Sequence, residues 1–353
     1  MRAALLAALV CASGCYYGHL ARGQARLWLE RKAVDDLLAD PGVDPALARR
    51  LALVASVRAF AADLGLAVGR HYTSYVAWPG DRIVTTVVAT RPREVEARGF
   101  WFPIVGRVPY KGWFDRARAE REAERLRAEG LDVCVSPVAA YSTLGWLSDP
   151  LTGPMLRADD AELVEVVLHE LVHATVYVAG DADLSESAAT FVGQEGAIAY
   201  LARRGLAGDA RPPAELAARR AERTRERRAL ARALLALRDE VGALYAALPP
   251  DAPADLVATR RRALEVAARE RIAQDVYGGG EAGRAAAAPL RLGDACLALR
   301  GTYAAALPLH EATFHALGDD LRAFVARLVE AARAPDPRAA LFGDANALAR
   351  PRD

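Results

Sequence analysis

Apolar positions along this chain recur mostly at three- and four-residue spacing, the period of helices with one buried face. Leu27, Leu29, Val34, Leu37 and Leu38 set that pattern within 24–70 and predict a helix that breaks at Pro41-Gly42. A second helical run, 45–64, stops near Gly65. Between 72 and 109 the pattern changes. Arg82-Ile83-Val84-Thr85-Thr86-Val87-Val88-Ala89 is short and β-branched, and Phe100-Trp101-Phe102-Pro103-Ile104-Val105-Gly106 is aromatic with turn residues, so strands are expected there. A helix over 115–129, closed by Gly130, leads into a strand at 132–135. Helices over 160–178 and 184–204 follow. Beyond Pro212-Pro213 a long Arg/Glu/Ala/Leu segment reaches 248, turns at Pro249-Pro250-Asp251 and returns over 254–276. This is the pattern of a helical hairpin with a solvated charged face. Gly278-Gly279-Gly280 reads as a flexible connection, 290–333 as the last helical stretch, and the tail from Pro335 as frayed. The expected fold is α+β and predominantly helical, with a small sheet and a long helical hairpin. Residues 15–353 form one domain in this reading, with sheet and site helices at about 72–200, the hairpin at about 212–276 and C-terminal helices at 290–333.

Composition narrows the class. The 353 residues are 53% hydrophobic with a formal charge of +1, which excludes disorder as the main state. The near-neutral balance argues against nucleic acid as a partner, and Glu residues interleave the Arg runs of the hairpin. The one uninterrupted apolar run lies at the extreme N-terminus and is too short to span a bilayer. Met1-Arg2, the apolar stretch 3–12 and the small residues Ser13-Gly14 have the layout of a secretory signal over 1–14. Ala12-Ser13-Gly14-Cys15 resembles the bacterial lipobox, with Ala12 in place of the usual Leu. That resemblance implies cleavage before Cys15, acylation of Cys15 and a lipid-anchored protein of the bacterial cell envelope. Tyr16 stands where an Asp would signal inner-membrane retention, so the periplasmic side of the outer membrane is the expected place. Of the remaining cysteines, Cys134 and Cys296 could pair in an oxidising compartment. Each also sits in an apolar stretch that suits a buried free thiol, and the unpaired state is the preferred reading.

The chemistry is concentrated in Val166-Val167-Leu168-His169-Glu170-Leu171-Val172-His173-Ala174-Thr175-Val176. Four-residue spacing puts His169 and His173 on nearly one helix face, about 6 Å apart along the axis, where both imidazoles can reach one tetrahedral zinc ion. Glu170 is turned toward the metal side, placed to accept a proton from water. A catalytic zinc needs a third protein ligand. Glu186, in the first turn of the next helix, is backed over Glu195, which lies about two and a half turns farther along and is expected in a salt bridge. Asp181 and Asp183 read as turn and N-cap residues.

His169-Glu170-Leu171-Val172-His173 followed by Ser185-Glu186-Ser187-Ala188-Ala189-Thr190-Phe191-Val192 resembles the gluzincin metallopeptidases, whose third ligand is a Glu in an Asn-Glu-x-Phe-Ala-like element. The chain is more closely similar to the predicted zinc aminopeptidase family of bacterial lipoproteins. Gly14-Cys15-Tyr16-Tyr17, Tyr72-Thr73-Ser74-Tyr75, Phe102-Pro103-Ile104-Val105-Gly106, Tyr110-Lys111-Gly112-Trp113-Phe114 and Ala140-Tyr141-Ser142-Thr143-Leu144-Gly145-Trp146 carry that similarity. It implies a zincin-like fold, Zn2+ as cofactor and a peptide as substrate. Ser185 replaces the family's usual Asn, Ala188 its Phe, and Trp101 and Arg107 occupy positions where many relatives have a Cys pair. No Gly-x-Met-Glu-Asn exopeptidase element is present.

The expected reaction is hydrolysis of a peptide bond by water, with Glu170 as general base. An inactive zinc-site scaffold that binds an envelope partner and a zinc amidase acting on cell-wall peptides are the alternatives. Zinc peptidases also need a group to stabilise the oxyanion. Tyr177, one turn beyond His173, is the first candidate, and Tyr75 and Tyr141 are its rivals.

Overall fold

The computed structural model describes residues 2–102, 106–138, 148–178, 180–304 and 306–343, with the backbone alone at 2–15, 302 and 303. Helix α1 (Arg2–Leu29) opens the chain. The helix expected to run from 24 to the Pro41-Gly42 break is interrupted: Lys32–Ala33 is extended as β1 before α2 (Val34–Ala39). Helix α3 (Pro45–Asp63) has Asp44 as N-cap and Pro45 in its first turn, both favoured there, and ends before Gly65 at φ 91°.

The strands are short. They are β2 (Ser74–Val76), β3 (Val84–Thr90), β4 (Phe100–Phe102), β5 (Gly106–Val108) and β6 (Lys111–Trp113), then helix α4 (Arg116–Ala128), then β7 (Asp132–Val138) and β8 (Leu151–Thr152). They form a sheet β1-β2-β8, a sheet β6-β3-β7 and a hairpin β4-β5. The expected β-branched strand is the fully buried centre of its sheet, antiparallel to β7 with Val87 opposite Val135.

Helices dominate the remainder: α5 (Asp160–Thr175), α6 (Ala182–Arg204), α7 (Pro213–Ala247), α8 (Ala254–Asp275), α9 (Gly280–Ala287), α10 (Asp294–Ala304), α11 (Leu307–Ala316), α12 (Leu321–Ala331) and α13 (Pro337–Phe342). The principal core encloses α5. Leu163, Val167, Leu168 and Leu171 are fully buried among side chains of α3, α6 and α12, including Val54, Phe191 and Phe324. A second core joins α7 to α8 through Leu234, Leu237, Val241 and Ile272.

Several expectations are corrected. Cys134 on β7 and Cys296 on α10 form a disulfide, with Cα atoms 5.0 Å apart across 162 residues of sequence. Tertiary packing brings together two apolar segments that each looked suited to a lone thiol. The three glycines at 278–280 are a tight turn, all at positive φ, and Gly283 abuts α8, where a Cβ would stand 2.5 Å from the Ala273 carbonyl oxygen. The stretch 290–333 divides into three helices, with Gly318 and Asp319 at positive φ between the last two. The segment after Pro335 is not frayed up to Gly343: Leu341 and Phe342 are buried, and Arg338 pairs with Asp181. The charged face of the hairpin is only partly solvated, because Arg220 and Arg228 are buried against α5, α6 and α11. Among the described residues, no helix is long and apolar enough to cross a membrane.

Candidate metal centre

Asp159 caps α5 by accepting from the Glu162 N–H, and the helix then carries six buried aliphatic side chains from Leu163 to Val172 before Val176 turns extended. His169 and His173 project from the face that meets α6. Asp181 caps α6 by accepting from the Leu184 N–H, and its carboxylate is clamped by Arg338 at 2.5 and 2.7 Å. Ser185 accepts from the Val178 N–H at 3.2 Å and donates to the Asp181 carbonyl at 3.1 Å, stitching the chain between the helices. This is the position that carries Asn in the family resembled.

Two glycines that sequence reasoning passed over let the helices approach. A Cβ on Gly193 would stand 3.0 Å from the Glu165 carbonyl oxygen and 3.3 Å from the His169 Cβ, and one on Gly196 would stand 2.7 Å from Leu168 Cδ1. Glu186 and Gly193 are seven residues apart and therefore share a face. Close approach at Gly193 thus aims Glu186 at the histidines. The legible signal was a pair of glycines three apart within a buried helical run.

The result is a triangle of three donor atoms. His169 Nε2 and His173 Nε2 are 3.2 Å apart, and Glu186 Oε2 lies 3.5 Å from the first and 3.4 Å from the second. No other group of three or more His, Cys, Asp or Glu side chains among the described residues converges in this way. Four ligands held tetrahedrally at about 2.0–2.1 Å from zinc stand about 3.3 Å from one another. The two nitrogens and the oxygen have that spacing, so the residues fit the ion. His173 is buried and His169 and Glu186 are partly buried. Burial pushes the Glu186 carboxyl up, but the hydrogen bonds and charges of His169 and His173 outweigh it and hold it at about 2. Glu170 is raised by burial, which outweighs the opposing influence of the two histidines, and Glu186 and Asp149 raise it further.

Glu195 stands on the opposite face of α6, nine residues and two and a half turns from Glu186, and accepts from Arg228 at 2.8 Å. Asp183 lies in the first turn of α6. Tyr177 does not extend the helix of His173 as expected: α5 ends at Thr175, and the Tyr177 side chain is 43% exposed. Tyr75 is half-buried on β2, and Tyr141 lies outside the described residues.

The tyrosine that sequence reasoning missed is Tyr72. It is buried, its N–H donates to the Asp149 carbonyl at 2.8 Å, and its φ is 60°, a left-handed conformation rare for an aromatic residue. Burial, then the carboxylates of Glu170 and Asp149, push its hydroxyl well above the ordinary value, so it stays a proton donor. It belongs to the Tyr72-Thr73-Ser74-Tyr75 stretch, in which the second tyrosine had drawn attention.

No curated protein and no solved structure matches this chain significantly. The model of one protein family, described as putative aminopeptidase, matches residues 15–341. The chain belongs to that family.

Proposed function

We propose that this protein is a zinc-dependent aminopeptidase, held by a lipid on Cys15 at the periplasmic face of a bacterial envelope membrane, outer rather than inner. The observation that carries the chemistry is the triangle of His169, His173 and Glu186 with Glu170 beside it. When bound, zinc supplies Lewis acidity, making water a nucleophile near neutral pH and polarising a peptide carbonyl.

The chain's own residues supply the rest. Glu170 takes the proton of the attacking water and delivers it to the departing amine. Its raised affinity for a proton suits a group that must both accept and return one. Tyr72 is the hydroxyl that hydrogen-bonds at this carboxylate or at the developing oxyanion, in preference to the exposed Tyr177. The family match supports peptide as the substrate class, and its start at Cys15 supports a mature chain beginning there. The Cys134–Cys296 disulfide supports an oxidising compartment.

The test is metal content and peptide hydrolysis, measured on the purified protein and on Glu170→Gln. The expected result is one zinc per chain in both, release of N-terminal residues by the wild type, and a loss of about 10²- to 10⁴-fold in the variant. Stoichiometric zinc without hydrolysis of peptides or cell-wall fragments would assign the chain to the scaffold alternative. Turnover of cell-wall fragments alone would assign it to the amidase.

A further inference from the structure

Helix α1 has two unlike faces after Cys15. One is docked on the domain. The Tyr16 hydroxyl donates to the Gly112 carbonyl at 3.0 Å and its ring packs edge-on against Trp113. His19 Nε2 accepts from the Phe114 N–H at 2.9 Å. Gly23 lies against the Phe114 ring so closely that a Cβ would stand 2.2 Å from it. Leu27 is fully buried with Val76, Trp78 and Ile83. From Tyr16 onward the helix is part of the folded body, with no linker between Cys15 and the domain.

The other face is exposed, with the Arg31 guanidinium 5.8 Å from the centre of the Trp28 ring. Tyr17, Ala21, Ala25 and Trp28 are exposed and fall on one side of the helix, with Leu29 at its edge. Trp28 is 59% exposed and Leu29 82%. Tyr17 and Trp28 are eleven residues, about three turns and about 16 Å, apart, so large amphipathic rings stand at both ends of an uncharged stripe. Arg22 and Arg26 flank the stripe, and Arg31 and Lys32 follow it, against the single acid Glu30. Trp101, 66% exposed, is next in sequence to Phe102, whose ring lies 5.9 Å from that of Tyr16. Trp101 and Phe102 are successive residues of β4, so the Trp101 ring points to the other face of the strand from the ring that meets Tyr16.

We propose that this stripe is a membrane-docking surface: α1 lies flat in the interface of an anionic bilayer, with Tyr17, Trp28 and Leu29 among the headgroups. The proposal rests on the reading of Cys15 as the lipidated residue, which places the acyl chains two residues from Tyr17. An apolar helix face edged by arginines is the build of an interfacial helix, and tyrosine and tryptophan favour that depth. The basic residues beside it match the negative surface of acidic lipids. Because the opposite face of α1 is packed into the protein, docking would fix how the whole domain stands on the membrane, not merely keep it nearby.

The protein extracted from membranes and reconstituted on vesicles of phosphatidylethanolamine and phosphatidylglycerol, with brominated acyl chains, tests this. Tryptophan fluorescence should be quenched, and Trp28→Phe should remove most of the quenching. On the same vesicles the combined variant Trp28→Ser and Leu29→Ser, altered only at exposed positions, should bind about tenfold more weakly whenever the acyl chains are absent. An acylated protein that floats with the vesicles while Trp28 stays unquenched would overturn the docking surface and leave lipidation standing. A chain without acyl mass would overturn lipidation instead, and Trp28 quenching when it is added to the vesicles would then uphold the surface independently. Disulfide cross-linking of two copies through Trp28→Cys, with quenching absent, would overturn the membrane reading in favour of a second copy of this chain.

Discussion

Glu186 and Glu195 stand on opposite faces of α6, and their surroundings differ in kind. Glu195 meets Arg228, whose guanidinium also donates to Gln194 at 2.7 Å and to Glu311 at 3.0 Å and lies 4.9 Å from the centre of the Phe191 ring. That cluster is complete in itself: the buried cation has acceptors and the acids have a cation. Glu186 meets two imidazoles whose nitrogens face one another at 3.2 Å. Two neutral rings placed so put lone pair against lone pair unless a proton or a cation stands between them. A buried carboxylate paired with arginine holds a fold together, whereas one that converges with two histidines has the donor set that can hold a metal ion.

The largest effects should come from exchanging the two glutamates' fates. Glu186→Ala is expected to weaken zinc binding by more than about 100-fold while the protein stays folded, because first-sphere loss exceeds the 10- to 100-fold typical of outer partners. Glu195→Ala should keep its zinc and lose about 1–3 kcal/mol of stability, since Arg228 stays buried with fewer acceptors. Metal titration and denaturant unfolding of both variants check this pair. Equal zinc loss in the two would break the comparison.

Tyr72→Phe sharpens the site side. Removing the hydroxyl proposed to donate at the site should lower kcat by about 10- to 100-fold with zinc content unchanged, while Tyr177→Phe should leave turnover as it was. Steady-state kinetics on the two variants separates the tyrosines.

Gly196→Val acts on the joint between the faces. Its side chain would press on Leu168 across the α5–α6 contact, at a cost of about 1–3 kcal/mol. By shifting α6 it should also reduce zinc retention, whereas Gly242→Ala, whose Cβ meets only a Val95 methyl at 3.4 Å, should do neither. Thermal unfolding with metal analysis of each variant measures both effects.

The smallest effect is a titration on the Glu195 side. His310 is fully buried, 3.0 Å from the Ser187 hydroxyl and stacked on Phe191. Burial, with Arg338 and Arg228 nearby, pulls its pKa down from 6.5 to about 3. The unfolded chain binds the proton that the folded chain refuses, so stability from this residue is whole above about pH 6.5 and declines as pH falls toward 3. The slope is at most about 1.4 kcal/mol per pH unit. Denaturant unfolding across that window should show a shallower decline for His310→Gln than for the wild type.

The HExxH spacing, the turn and cap at Asp181 and the central β-branched strand were readable because each depends on neighbours within a few residues. The choice of Glu186 over Glu195 was also local, since helical geometry alone puts them on opposite faces. The α1 stripe went unread in the sequence, because only docking on Phe114 and Trp113 shows which face of the helix is left over.

What tertiary structure alone decided lies at long range. The Cys134–Cys296 bond spans 162 residues, and no local pattern distinguishes such a pair from two buried thiols. Arg220 and Arg228 look like solvated surface in a sequence full of Arg and Glu, yet they reach Glu165, Glu195 and Glu311 on other helices. Tyr72 is separated from Glu170 by about a hundred residues, and nothing in its local sequence marks its left-handed backbone. The spacing of His169 and His173 along α5 was decided by the sequence, because helix geometry is a property of the local backbone. The partners that surround them required the whole chain to close, because burial and charge pairing depend on elements that meet only in three dimensions.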